Sequence, residues 1–110
     1  MKDLKYLQLL DIYGALLTDT QREICEQYYS YDLSLSEIAE EKNVTKQSVS
    51  DTLKKSREQI EFYEKKLGLC KRQSELSAAI DAALQKHPEW REELGPIADM
   101  VGGNSLSRKN

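Results

Sequence analysis

An all-α fold, a compact helical bundle built around a helix-turn-helix, is predicted by three features of this 110-residue sequence. Two capping-box signatures, Thr18 with Gln21 and Ser34 with Glu37, each mark a helix start. Apolar residues recur at spacings of three and four from Leu4 onward, the period of a helix with one buried side. The run from Lys46 to Leu67 contains neither Gly nor Pro, so one long helix can pass through it unbroken.

The elements follow in order. Residues 3–17 read as a helix with Leu4, Leu7, Leu10, Tyr13 and Leu17 on one side and Leu9, Ile12 and Leu16 on another. So broad an apolar surface predicts packing on two flanks. Thr18 opens a second helix in which Ile24, Cys25, Tyr28 and Tyr29 recur one turn apart, and Tyr31-Asp32-Leu33 links it to the next. Ser34 caps a short helix carrying Ile38 and Ala39 as its buried pair; the small Ala lets another helix cross closely. Asn43 stands where the turn needs a left-handed residue, and Asn is the non-glycine side chain that tolerates it best. Thr45 caps the long helix, whose Val49 and Leu53 turn back to the core.

That helix, Lys46 to Leu67, would extend about 33 Å, far beyond what a reading helix needs. Leu53, Ser56, Ile60, Tyr63 and Leu67 continue a coiled-coil-like spacing along it. Leu53, Ile60, Tyr63 and Leu67 therefore form a packing or dimer seam, to be covered by the C-terminal region or by a second chain, with a homodimer expected. Gly68 is a helix stop. A further helix runs from about Lys71 to Lys86, with Leu76, Ile80, Ala83 and Leu84 on one face. His87-Pro88 breaks the chain, and a last amphipathic segment of Trp90, Leu94, Ile97 and Val101 is interrupted by Gly95-Pro96. The expected organisation is a helix-turn-helix domain over residues 1–67, a helical extension over 68–101 and a disordered polar tail over 102–110.

The bulk numbers narrow the function classes. Hydrophobic residues at 39% permit a modest core, and charged residues at 32% fit a highly solvated helical protein. No apolar run approaches the roughly 20 residues of a membrane span, so a cytoplasmic location is expected. Cys25 and Cys70 belong to no CxxC or Cys/His cluster; they read as a small buried hydrophobe and a helix-end thiol. His87, the one histidine, stands beside a proline without a nucleophile or carboxylate pattern. The sequence holds no phosphate-cradling glycine loop and no metal-ligand spacing. No cofactor, no metal and no enzyme activity are expected, and function falls to binding.

The binding face follows from helix geometry. With Val49 and Leu53 inward, a 100° step puts Gln47, Asp51, Lys54 and Glu58 outward, flanked by Ser48 and Lys55. Gln suits adenine edges, and Lys suits guanine or phosphate. Lys42, Lys46, Lys55 and Arg57 are placed to meet backbone phosphates. Residues 42–57 hold five basic side chains against Asp51, although the whole chain carries a net charge of −3. The candidate contact set is Lys42, Lys46, Gln47, Lys54, Lys55 and Arg57. A solvated helix face explains the same charges, and Tyr28, Tyr29 and Tyr31 suit a core as well as a base-stacking platform.

Tyr13-Gly14-Ala15-Leu16-Leu17-Thr18-Asp19-Thr20-Gln21, Tyr28-Tyr29 and Leu33 to Glu41 resemble the YlxM family of small bacterial proteins. The likeness continues through Val44 to Asp51 and Tyr63 to Leu67, and spans about residues 4–87. The helix-turn-helix portion is also similar to the last DNA-binding region of housekeeping sigma factors. Members of the YlxM family are all-helical and self-associate, and their genes usually neighbour those for the signal recognition particle's GTPase Ffh or its receptor FtsY. The resemblance therefore implies a non-catalytic accessory or regulatory protein that contacts Ffh or the particle's small RNA. A sequence-specific DNA-binding regulator is the alternative, with Gln47 and Lys54 reading bases. A protein-only adaptor, its basic face docked on an acidic partner, is a third. Where the family has an apolar or aromatic residue and then Gly at the turn, this chain has Lys42-Asn43.

Overall fold

Residues 3–101 are described in the computed structural model, and every regular element among them is helical. Backbone contacts divide the chain into two units, Met1–Leu67 and Gly68–Asn110. The tail expected over 102–110 lies outside the described residues.

In the first unit, α1 spans Leu4–Tyr13, α2 Asp19–Cys25, α3 Leu35–Lys42 and α4 Lys46–Leu67. Asp3 starts α1 by accepting a hydrogen bond from the Tyr6 N–H at 3.0 Å. The helix expected over 3–17 stops at Tyr13, and a 3₁₀ turn over Gly14–Leu16 closes with Leu17 N–H donating to the Gly14 carbonyl. The tightened turn swings Leu17 into the core and leaves Leu16 exposed, as is Leu4 at the other end. The two-flank packing expected of this helix therefore holds only for its middle, where Tyr6, Leu9, Leu10 and Tyr13 are buried.

Both capping boxes form. The Thr18 hydroxyl accepts from Gln21 N–H at 3.1 Å while Gln21 Oε1 accepts from Thr18 N–H at 3.0 Å. Ser34 and Glu37 make the same reciprocal pair at 3.1 and 2.8 Å. After Cys25 the chain widens into a π-helical stretch, Glu26–Ser30, which the regular spacing of the tyrosines did not announce. The wider turn places Tyr29 in the core and is closed by Tyr31 N–H donating to Glu26 and Leu33 N–H donating to Gln27. Asp32 takes a left-handed conformation at φ 60° in this link.

Asn43 ends α3 at φ 59° and ψ 47°, the left-handed geometry that the turn demands. Val44 N–H donates to the Ala39 carbonyl and Asn43 N–H to that of Glu40, the Schellman pairing that satisfies the last carbonyls of a helix. Thr45 Oγ1 accepts from Ser48 N–H at 3.0 Å and caps α4.

The core lies along α4. Val49, Leu53, Ser56 and Ile60 are buried there, facing Ile24, Cys25, Ile38 and Ala39 from α2 and α3 and the buried residues of α1. Full burial of Ser56 is possible because its hydroxyl donates to the Thr52 carbonyl one turn back, at 2.7 Å. The far half of α4 is met on one side by α1 of the same chain, while Phe62 and Leu67 stay exposed. Tyr13 donates to Glu64 Oε1 at 2.6 Å, and its ring lies 6.1 Å from that of Tyr63. Neither the C-terminal region nor a second chain is needed for that contact.

In the second unit, α5 spans Leu69–Lys86 and α6 Arg91–Val101, joined through a 3₁₀ turn at Pro88–Trp90. Gly68 adopts φ 62°, which a residue with a Cβ reaches only at a cost, so α5 starts directly behind it, two residues before the expected Lys71. The expected interruption at Gly95-Pro96 is absent. α6 runs through Pro96 as one helix, losing one backbone donor while keeping its apolar repeat. The imidazole of His87 stacks on Trp90 at 3.8 Å and nearly parallel.

Candidate nucleic-acid interface

The six candidate contact residues separate into two groups. Lys42 and Arg57 are engaged within the fold. Lys42, three-quarters buried at its side chain, forms an ion pair with Glu23 and ties α3 to α2. That ammonium group holds the Glu23 carboxyl below its ordinary range. Arg57 is more heavily committed. Its Nη2 donates to Asp3 Oδ2 at 2.7 Å, its Nη1 to the Tyr29 hydroxyl at 3.2 Å and its Nε to Glu61 Oε2 at 3.3 Å. The guanidinium also sits 4.6 Å above the Tyr6 ring. One side chain thus joins the start of α1, the π-helical turn and α4. Its hydrogen bond to Asp3 pulls the Asp3 carboxyl down, helped by the Tyr6 N–H, and raises the guanidinium's own value.

Lys46, Gln47, Lys54 and Lys55 are exposed along the outer face of the first half of α4. Among the described residues, none of the three lysines makes an ion pair. Gln47, Asp51, Lys54 and Lys55 line an open depression of about 640 Å³, with the hydroxyls of Thr45, Ser48 and Thr52 between them and Glu58 at one end. Gln47 Nε2 donates to Asp51 Oδ1 at 2.9 Å. Thr45, read from the sequence only as a cap, and Thr52 are the lining residues outside the face that helix geometry gives; the position of Thr52 one turn after Ser48 is the available signal.

This division changes the electrostatics. Five cations over residues 42–57 suggested a strongly basic strip, but with Lys42 and Arg57 paired internally three remain beside Asp51 and Glu58. The face is mildly basic and rich in hydroxyls and amides. Polyanion affinity grows with each phosphate neutralised, so three free lysines give a weak, salt-sensitive attraction.

The proposed seam divides as well. Leu53 and Ile60 are buried in the chain's own core, Tyr63 is half-buried and hydrogen-bonded to Gln59 Nε2 at 3.3 Å, and Leu67 is 50% exposed. Among the described residues no cluster of His, Cys, Asp or Glu could hold a metal ion, and no helix is long and apolar enough to cross a membrane.

A short helix, a left-handed asparagine and a capped second helix with an exposed polar face make a helix-turn-helix. The family model for UPF0122, described as "Putative helix-turn-helix protein, YlxM / p13 like", matches residues 1–97. The chain belongs to the UPF0122 family. It is 51% identical over 80 residues to a UPF0122 protein of Thermoanaerobacter sp. strain X514, a stretch that covers 72% of this chain and 68% of the relative. A UPF0122 protein of Desulforamulus reducens is 48% identical over 81 residues, covering 73% and 69%. One of Streptococcus suis is 43% identical over 81 residues, covering 74% and 72%. The likeness to YlxM proteins read from Tyr13 through Leu67 is thereby borne out, as is the all-α helix-turn-helix fold.

Proposed function

We propose that this UPF0122 protein is a non-catalytic accessory or regulatory protein that works through macromolecular contacts of the outer α4 face. In this reading it takes part in the signal recognition particle pathway by meeting the particle's small RNA or its GTPase Ffh. The observation that carries it is the contrast among the cations of the α3–α4 unit. Lys42 and Arg57 serve the fold, whereas Lys46, Lys54 and Lys55 make no ion pair among the described residues, and Lys54 and Lys55 line an open polar depression with the exposed Gln47. The helix-turn-helix family supports a binding role, and the resemblance to YlxM proteins supports the particle.

A second reading, a sequence-specific regulator on duplex DNA, is favoured by the α3–α4 geometry itself. An exposed second helix of this kind fits the major groove, with Gln47 and Lys54 toward base edges. The two readings separate in one titration. Fluorescence anisotropy of labelled particle RNA is followed at near-physiological salt as the protein is added, with a pool of random duplex DNA as competitor. Saturable binding that the pool fails to displace supports the particle accessory. Displacement by the pool points to a general affinity for duplexes, and selection of one preferred sequence from that pool then supports the DNA regulator. No binding of either nucleic acid leaves Ffh or another acidic protein surface as the target. In that case charge reversal at Lys54 and Lys55 abolishes a protein contact alone.

A further inference from the structure

The outer face of α4 carries a carboxylate where a simple phosphate-binding surface would carry none. Asp51 is exposed, is hydrogen-bonded to Gln47 and lies between the free lysines at 46, 54 and 55. A carboxylate there lowers affinity for any phosphate chain, so an electrostatic surface gains nothing from it. The hydrogen bond has a direction. Gln47 spends one Nε2 proton on Asp51 Oδ1, and Asp51 keeps Oδ2 while Gln47 keeps Oε1. The side of the depression formed by this pair therefore presents mainly acceptors, framed by the Lys54 and Lys55 ammonium groups.

We infer that the Gln47–Asp51 pair is a base-selecting element that accepts a hydrogen bond from the exocyclic amino group of a nucleobase, cytosine N4 or adenine N6. Lys46, Lys54 and Lys55 hold the adjoining phosphates. This inference rests on the nucleic-acid reading of the same face and adds which bases it prefers. Carboxylate acceptance from cytosine N4 and amide recognition of adenine N6 are the pairings these side chains favour. Uracil and thymine offer a carbonyl at the equivalent position, which the Asp51 carboxylate repels. Asp51 is thus a specificity-determining residue, and Gln47 is both its partner and a contact. A helix-stabilising i,i+4 pair would show the same bond in the free protein, so discrimination between bases is the property that tells the two roles apart.

The test uses the full-length chain and labelled single-stranded homopolymers of cytosine, adenine and uracil, read by fluorescence anisotropy at near-physiological salt. The wild-type protein should bind the cytosine and adenine strands about tenfold tighter than the uracil strand, the worth of one good base contact. Asp51→Asn should bring the cytosine-to-uracil ratio below about threefold while uracil binding strengthens, because the carboxylate acceptor and its repelling charge are gone, whereas an amide still suits adenine. Asp51→Glu should restore part of the preference. The particle RNA and the random duplex pool, added as competitors, show whether the amino group is met on an RNA or in a DNA groove. Equal binding of all three strands, or a cytosine preference unchanged in Asp51→Asn, overturns the inference and leaves the nucleic-acid reading standing. Failure of the wild-type protein to bind any strand, the particle RNA or the duplex pool overturns both.

Discussion

Arg57 shows how far one side chain departs from its most economical reading. In sequence it is the last cation of a basic strip; in the fold it is shared among Asp3, Tyr29, Glu61 and the Tyr6 ring. Arg57→Ala should destabilise the protein by about 1–2 kcal/mol, since hydrogen bonds to charged groups and a stacked guanidinium are lost from a half-exposed site. Urea unfolding measures this, and Arg57→Lys should recover only part because an ammonium cannot span the same partners. The pH dependence has a definite sign. Asp3 is held below its ordinary range in the folded chain, first by Arg57, so its contribution is present above the unfolded carboxyl's pKa and fades as pH falls through the folded value. Asp3→Asn should therefore cost stability at neutral pH and nothing extra in strong acid, which thermal melts across the acid range would register. Cys25 presents the opposite case. Burial pushes its thiol up, with the Ser56 and Tyr6 hydroxyls tempering the effect, so the neutral thiol is the folded form. In the native protein a disulfide-exchange reagent should modify Cys25 only as fast as the first unit opens.

At the scale of elements, the helix-turn-helix depends on local signals that can be altered singly. Asn43 holds a left-handed conformation between α3 and α4. Asn43→Gly should leave stability within about 0.5 kcal/mol, whereas Asn43→Val should cost about 1–2 kcal/mol because a branched Cβ crowds the carbonyl at positive φ. Circular-dichroism melts of the two variants test this against the simpler idea that any turn residue serves. The long helix makes a sharper demand. Ile60 is fully buried beneath elements of its own chain, so Ile60→Asp should unfold the first unit by burying an unpaired carboxylate, and Ile60→Val should cost about 1 kcal/mol. A folded, monomeric Ile60→Asp protein in light scattering with circular dichroism would instead assign Ile60 to an intermolecular face.

For the whole molecule, the separation of structural from free cations predicts two kinds of variant. Lys54→Glu with Lys55→Glu should abolish nucleic-acid binding and leave the melting temperature nearly unchanged, since neither ammonium has an ion-pair partner among the described residues. Lys42→Ala should do the reverse, loosening α2 from α3 with little direct effect on binding. Equal loss of binding from both would return Lys42 to the contact surface. Much of this molecule was legible in the chain alone, and the legible parts share a cause. Capping boxes at Thr18 and Ser34, the left-handed Asn43 and the stop at Gly68 are local, because backbone sterics and near-neighbour hydrogen bonds decide them within a few residues. The α4 periodicity is nearly as local, and it told which face turns inward. It did not tell what that face meets. That α1 packs on the far half of α4 depends on Tyr13 reaching Glu64 and Tyr63 across a long stretch of sequence. The π-helical turn at Glu26 belongs to the same class, because it brings Tyr29 to Arg57 and Tyr6. By itself, then, the sequence determined the helices, the capped starts at Thr18, Ser34 and Thr45, the turn at Asn43 and the family. Which charges are free to bind and which are consumed by the fold was decided only in three dimensions, because a lysine or arginine carries the same charge in any sequence context and its partners come from other helices.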